Sequence, residues 1–302
     1  MPLPQHVLIR LRELFGERLL LNEPLARHTS ARIGGPADAF LPVYTRKELA
    51  AAARVAWAHE VPLFILGGGS NILVSERGVR GLVIHNRADY VVFDGARVTA
   101  DAGVSTISLA RRCAKRGLSG LEWAIGIPGT LGGAVFGNAG AHGGDMRSVV
   151  LYVDAAVPKS NVRLSNSDLA FQYRSSVLKR VPRKLVILRA TLQLKRDHPA
   201  AIAARMEEYN TYRRRTQPPG ATIGSMFKNP EGDFAGRLVE AAGLKGARIG
   251  GAQISTVHAN FFVNLGGATA DDVRALIDLA RNEVLRQFGV ELELEIELVG
   301  EW

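Results

Sequence analysis

Cysteine is all but missing. Cys113 is the single one in 302 residues, which excludes an internal disulfide and a cysteine-rich metal site and suits a reducing compartment. None of the 7 histidines stands in an HxxxH or HExxH spacing, so no metal is expected. Uninterrupted apolar runs are missing too. In the leading MPLPQHVLIRLRELFGERLL, the residues Arg10, Arg12, Glu13, Glu17 and Arg18 break what a signal-peptide core requires. The long charge-free stretch between Glu122 and Asp145 holds 8 glycines and Pro128, a poor composition for a spanning helix. A cytoplasmic protein without membrane insertion is therefore expected. The chain also lacks a Walker lysine motif, a GxSxG elbow and an aromatic-interleaved RNP pattern. Acidic residues are outnumbered, 29 against 38 Lys and Arg, for a formal charge of +9 that favours anionic ligands without identifying one.

What is present points to an α/β start and a mixed sheet. TRKELAAAARVAWAHE opens with a Thr45-x-x-Glu48 capping box and continues as an alanine-rich helix into the strand VPLFIL. GLVIHN predicts a further strand, and Asp94-Gly95 between β-branched runs predicts a hairpin. After the helix SLARRCAKRG and the glycine-rich run, LYVDAAV, DLAFQYR and KLVILRATLQLK predict strands. A boundary falls near Asp197. Beyond it come a helix ending before Pro218-Pro219, a short helix GRLVEAAG, and a long helix from Thr269, with Asp272 completing its capping box. Its apolar stripe is Val273, Leu276, Ile277, Ala280, Val284 and Phe288, and Gly289 ends it. The closing GVELELEIELVG predicts a strand that puts Glu291, Glu293, Glu295 and Glu297 on one face and aliphatics on the other. That face is either solvated and ion-paired or aims one carboxylate into a site.

Three segments carry candidate chemistry. In FILGGGSNILV, a strand runs into Gly67-Gly68-Gly69-Ser70-Asn71, where backbone amides can approach an anion closely; Ile72 replaces the third glycine of a dinucleotide fingerprint. In AIGIPGTLGGAVFGNAGAHGG, the glycines suggest backbone laid against something flat or phosphorylated, and the two segments together favour a large cofactor over nucleotide hydrolysis. In IGSMFKNP, Ser225 has no nearby histidine to make it a nucleophile but is suited to donate a proton to an enolic intermediate, with Lys228 and Asn229 binding an anion and a polar group. Arg174 in FQYRSS is either ion-paired at the surface or aimed at a carboxylate. Arg213, Arg214 and Arg215 end a helix whose dipole favours cations whatever the function.

Taken in order, TSARIGGPADAF, GGGSNILV, GLSGLEWAIGIPGTLGGAVFGNAGAHGG, FQYRSS, GSMFKNP, GLKGARIGGAQISTVHANFFVN and GVELELEIELVG resemble the UDP-N-acetylenolpyruvoylglucosamine reductases, in their shorter subclass, over nearly the whole chain. The resemblance implies an α+β fold: a two-subdomain FAD-binding region of the vanillyl-alcohol oxidase type, here 1–84 and 85–197, and an α+β substrate domain, 198–302. It implies a noncovalent FAD wrapped by Gly67, Gly68, Gly69, Ser70, Asn71, Gly126, Ile127, Pro128, Gly129, Gly132, Gly133, Asn138 and Gly140. The family reaction is NADPH-dependent reduction of UDP-N-acetylglucosamine enolpyruvate to UDP-N-acetylmuramate, a step of peptidoglycan and cell-wall synthesis serving cell shape and division. Hydride passes from flavin N5 to the enolpyruvyl methylene. By motif position Ser225 matches the proton donor, Arg174 and Glu295 the pair stabilising the intermediate, and Arg214, Lys228 and Asn229 substrate contacts. Acid at every alternate position makes Glu293 the rival of Glu295. Small molecules, rather than nucleic acid or membrane, are the expected partners, and a monomer the expected state. Two other classes stay open: a basic nucleotide- or RNA-binding protein without flavin, and a flavin oxidase indifferent to UDP-sugars.

Overall fold

The computed structural model describes residues 3–181 and 184–302. The chain forms two compact units, each assembled from separate stretches of sequence. One comprises Met1–Leu21, Asp38–Gly68 and Gly81–Tyr212; the other comprises Asn22–Ala37, Gly69–Arg80 and Arg213–Trp302.

In the first unit the alanine-rich segment forms the helix Arg46–Ala58, and Thr45 caps it by accepting from Glu48 N. The box is only half closed, because the Glu48 carboxylate turns to Tyr44 N and to Arg18. Small side chains at Ala52, Ala53 and Ala56 leave no exposed surface on the packed face, which sits against Leu82, Ile84 and Leu188. The strand Leu63–Leu66 that follows pairs parallel with residues 82–85. A five-stranded antiparallel sheet runs in the order Asn161–Ser165, Val150–Ala156, Val186–Gln193, Arg97–Asp101, Val91–Asp94. Its last two strands form the expected hairpin, with Asp94 opposite Arg97, so Gly95 takes the first turn position at φ +58°. Cys113 is packed in the core of this unit on the helix Thr106–Ala114. Burial pushes its thiol up to about 12 despite Arg116 and Arg112 nearby.

One expected strand of this unit is absent. DLAFQYR contributes the end of a single helical turn, Asn166–Leu169, then Ala170 in the left-handed region and a tight turn closed by reciprocal backbone bonds between Gln172 and Ser175. Ser165 and Asp168 make a capping box there, and that local satisfaction of the backbone displaces the sheet ladder. Arg174 therefore occupies a turn, at φ +52°, rather than a strand.

In the second unit a four-stranded antiparallel sheet runs Ala221–Ser225, Phe261–Asn264, Ala252–Ile254, Arg248–Ile249. The helix Ala270–Phe288 has the full Thr269/Asp272 capping box and a left-handed Gly289 stop. Its stripe buries Val273, Leu276, Ile277, Ala280 and Val284, but Phe288 remains exposed.

The glutamate segment is not one continuous strand. Leu294 bridges Phe227, the chain bends at residues 295–296, and only Glu297–Val299 is a strand, parallel to Ile72–Val74. The bend follows from a change of partner: Glu295 N donates to Met226 O, whereas Glu297 N donates to Asn71 O. Leu292 and Ile296 are buried as alternation requires, but Leu294 and Glu295 are both half-buried, and Leu298 is half-buried beside buried Val299.

Candidate active site

Two clusters gather the residues singled out by the sequence, one in each unit. In the first unit the two glycine-rich segments meet directly. A Cβ on Gly67 would overlap Thr130 Oγ1, and one on Gly68 would come within 2.9 Å of Gly129 Cα. The Thr130 side chain and the Gly129 backbone thus lie against Gly67 and Gly68, an approach only glycine permits. The second segment is anchored from behind: Thr106 Oγ1 donates to Ile127 O at 2.9 Å, Thr106 N to Gly129 O, Leu131 N to Val104 O and Gly132 N to Ala102 O. Gly126 and Gly129 hold positive φ values of 74° and 127°, and Pro128 is exposed at the apex between them. Gly132 packs on Ala102 at the start of the helix Leu131–Phe136, while Gly133 has room beside Thr130. A glycine-rich loop anchored from behind is suited to the flat ring and phosphates of a dinucleotide such as FAD.

Two residues expected at the cofactor are also engaged within the protein. Asn138 is buried, and its amide donates to Asp145 Oδ2 and Gln172 O and accepts from Arg147 N. Gly140 lies in a tight hairpin against Gly144 O and Asp145. Both shape the loop from within. The same Asn138 bond, with Ser176 Oγ donating to Phe136 O, ties the Arg174 turn to the glycine-rich segment. Arg174 itself is half-buried, its guanidinium 5.2 Å from the Tyr173 ring centroid.

In the second unit Gly69 packs so tightly on His28 O that no side chain would fit, and its φ is +60°. Half-buried Ser70 and exposed Asn71 follow it. Asn71 grips the bend from both sides: its Nδ2 donates to Glu295 O at 3.2 Å, and its carbonyl accepts from Glu297 N at 3.0 Å. Ser225 ends the strand Ala221–Ser225 after a register shift, with Gly224 at φ +89° and Gly224 N bonded to Thr222 Oγ1. Immediately beyond it, Met226 O accepts from Glu295 N at 2.9 Å and Lys228 N donates to Glu293 O at 2.9 Å. The residue that follows Ser225 is therefore bonded to Glu295 through the backbone, while exposed Glu293 is taken by Lys228 Nζ at 2.7 Å. That ion pair holds the Glu293 carboxyl below its ordinary range. Asn229 accepts from Ala235 N, the first turn of the helix Ala235–Ala241.

Of the basic residues on the helix Pro199–Thr216, Arg214 is exposed, while burial depresses the pKa of Arg213. Sequence reasoning missed Asn260, whose buried amide bonds both backbone groups of Phe227. Its only signal is a polar residue inside the apolar run HANFFV.

Residues 37–164 match the FAD binding domain family, and residues 216–299 match the C-terminal domain of UDP-N-acetylenolpyruvoylglucosamine reductase. Among curated relatives, the UDP-N-acetylenolpyruvoylglucosamine reductase of Rubrobacter xylanophilus is 46% identical, over 93% of this chain and 95% of that one. The enzyme of the same name from Bacillus velezensis is 42% identical, over 98% and 99%. The crystal structure of UDP-N-acetylenolpyruvylglucosamine reductase from Thermus caldophilus superposes with a TM-score of 0.79 at 37% identity, covering 93% of this chain and 98% of that one.

Proposed function

The chain belongs to the UDP-N-acetylenolpyruvoylglucosamine reductase family, and from that premise we propose that it reduces UDP-N-acetylglucosamine enolpyruvate to UDP-N-acetylmuramate, with FAD as noncovalent cofactor and NADPH as reductant. When bound, FAD would supply the two-electron hydride chemistry that links NADPH to the enolpyruvyl group. The rest falls to the protein. The glycine segments at Gly67, Gly68, Gly129 and Gly132 hold the cofactor, with Gly126, Ile127, Pro128 and Gly133 completing the loop and Asn138 and Gly140 keeping its shape. Gly69, Ser70 and Asn71 continue the first glycine segment into the second unit.

Ser225 Oγ delivers the proton that the adjacent carbon needs once it has become an enolate conjugated to the carboxylate. Glu295 and Arg174 stabilise that intermediate, Arg174 through a planar fork suited to a carboxylate. Lys228, Asn229 and Arg214 contact the UDP portion. The division into 1–84, 85–197 and 198–302 belongs to the same reading, as does a monomeric, cytoplasmic enzyme serving cell-wall synthesis. Among the described residues no helix is long and apolar enough to cross a membrane.

The observation that carries this reading is the backbone bond from Glu295 N to Met226 O, which ties the segment of the proposed glutamate to the residue that follows the proposed proton donor. An anaerobic visible spectrum tests it. NADPH should bleach the flavin, and UDP-N-acetylglucosamine enolpyruvate should restore the colour. Flavin that bleaches without recolouring would leave the fold and remove the substrate.

A further inference from the structure

Asn260 is a polar residue sealed inside an apolar core, 4% exposed between Ala259 and Phe261. Burying an amide is unfavourable unless each group finds a partner, and here each does so on a single neighbour. Phe227 N donates to Asn260 Oδ1 at 2.9 Å, and Asn260 Nδ2 donates to Phe227 O at 2.8 Å. Met226 N donates to Asn260 O at 2.7 Å. The strand Phe261–Asn264 pairs with Ser225 through Phe261, one further backbone bond reaches Met226, and at Phe227 the Asn260 side chain takes over the ladder. On the opposite edge of residues 226–228 lie the bonds to Glu293 and Glu295. The peptide groups that follow Ser225 are therefore clamped from both sides, by one buried amide and by the glutamate segment.

Resting on the reductase reading above, we infer that Asn260 is a positioning residue for the proton-transfer half of the reaction: it sets the placement of Ser225 Oγ relative to Glu295 by locking the Met226–Phe227 backbone. It touches neither cofactor nor substrate. Its amide orientation is dictated by Phe227, because only a group presenting one acceptor and one donor side by side satisfies both backbone atoms. Alanine offers neither and strands two groups of a residue with no exposed surface. Aspartate separates position from chemistry. Protonated, it presents the same acceptor and donor as asparagine; ionised, it sets an oxygen against Phe227 O.

Burial raises the pKa of such a carboxyl, so the clamp is restored as pH falls through that raised value and lost above it. The titratable and charged groups around it are His258, whose Nδ1 accepts from Asn260 N, with Lys245 and Glu240 facing His258, and on the clamped segment the Lys228–Glu293 pair and Glu295. Burial and Lys245 lower the His258 pKa. All of these groups are common to wild type and variants, so the pH response introduced by the aspartate appears as a difference between them.

The test follows single turnovers of wild type, Asn260→Ala and Asn260→Asp anaerobically over a range of pH, reading bleaching by NADPH and recolouring by UDP-N-acetylglucosamine enolpyruvate separately. In Asn260→Ala, bleaching should match wild type while recolouring slows on the order of 10²-fold, the usual consequence of misplacing a reacting group by about 1 Å. Asn260→Asp should show the same split at neutral pH and approach the wild-type recolouring rate as pH falls. Equal slowing of both steps, or an Asn260→Asp rate whose ratio to wild type does not change with pH, overturns the positioning role. The aspartate variant decides the matter even if the alanine variant does not fold. A wild-type protein that never recolours removes the reductase reading, and this inference with it; a wild type that recolours beside a pH-indifferent Asn260→Asp removes the inference alone.

Discussion

Ser225 stands one residue before the carbonyl that receives Glu295 N, so two residues 70 positions apart in sequence are joined through the backbone of Met226. Ser225→Ala should leave flavin reduction by NADPH unchanged and slow enolpyruvyl reduction by about 10²- to 10⁴-fold, the range for loss of a general acid. Stopped-flow measurement of the two steps checks this, and an equal loss in both would remove the proton-donor role. The neighbouring glutamates separate in the same assay. Glu295→Gln should depress the second step strongly; Glu293→Gln, at an exposed site where only the Lys228 pair is lost, should change it by no more than a few-fold. Cys113 belongs to the core rather than to the chemistry. With its pKa pushed up to about 12, the thiolate fraction at pH 8 is about one in ten thousand. A thiol reagent should therefore titrate it only after denaturation, and rapid labelling of the native protein would contradict the burial described here.

The elements with the clearest sequence signals are those closed by local bonds. The helix Ala270–Phe288 has its cap, its stop and most of its stripe where spacing placed them, because capping boxes and left-handed glycine stops involve residues only three or four apart. Thr269→Ala should cost about 1 kcal/mol in urea unfolding. Asp272→Ala should cost more, since that carboxylate accepts from Thr269 N and also from Gly251 N. The glycine segments could be recognised as unusual, but the reason for each glycine could not. Gly67 is required by Thr130, 63 residues away, and Gly67→Ala should weaken FAD retention at least tenfold in a flavin-release titration because the two segments can no longer close. The glutamate segment and DLAFQYR read as strands from alternation and apolar content. The first is bent by two successive backbone partners, and the second is diverted by a capping box and a turn.

At the scale of the molecule, ion pairs within the first unit set part of the acid response. Glu122 is buried; burial alone would raise its pKa, but Arg205, Ser119 and the Gly120 amide together hold it below the ordinary value. A depressed folded pKa contributes stability that is fully present above the unfolded carboxylate value, about 4.3, and is lost as pH falls through the folded one. The difference in unfolding free energy between wild type and Glu122→Gln should accordingly shrink below about pH 4. A gap that persists unchanged into acid would contradict the pairing. Asp101 works in the opposite sense, since burial raises its pKa against the pull of Arg46, and it is common to both proteins in that comparison. The sequence by itself determined the family, the α+β class, the capped helices, the Gly95 turn and the candidate Ser225, because these rest on short-range patterns or on motifs kept in order along the chain. Only the tertiary structure decided that segments 22–37 and 69–80 join the C-terminal unit, that Glu293 pairs with Lys228 while Glu295 bonds Met226, and that Asn260 completes a strand edge. Each of these depends on hydrogen-bond partners between segments distant in sequence, and a periodic pattern of side chains does not specify which distant backbone will meet them.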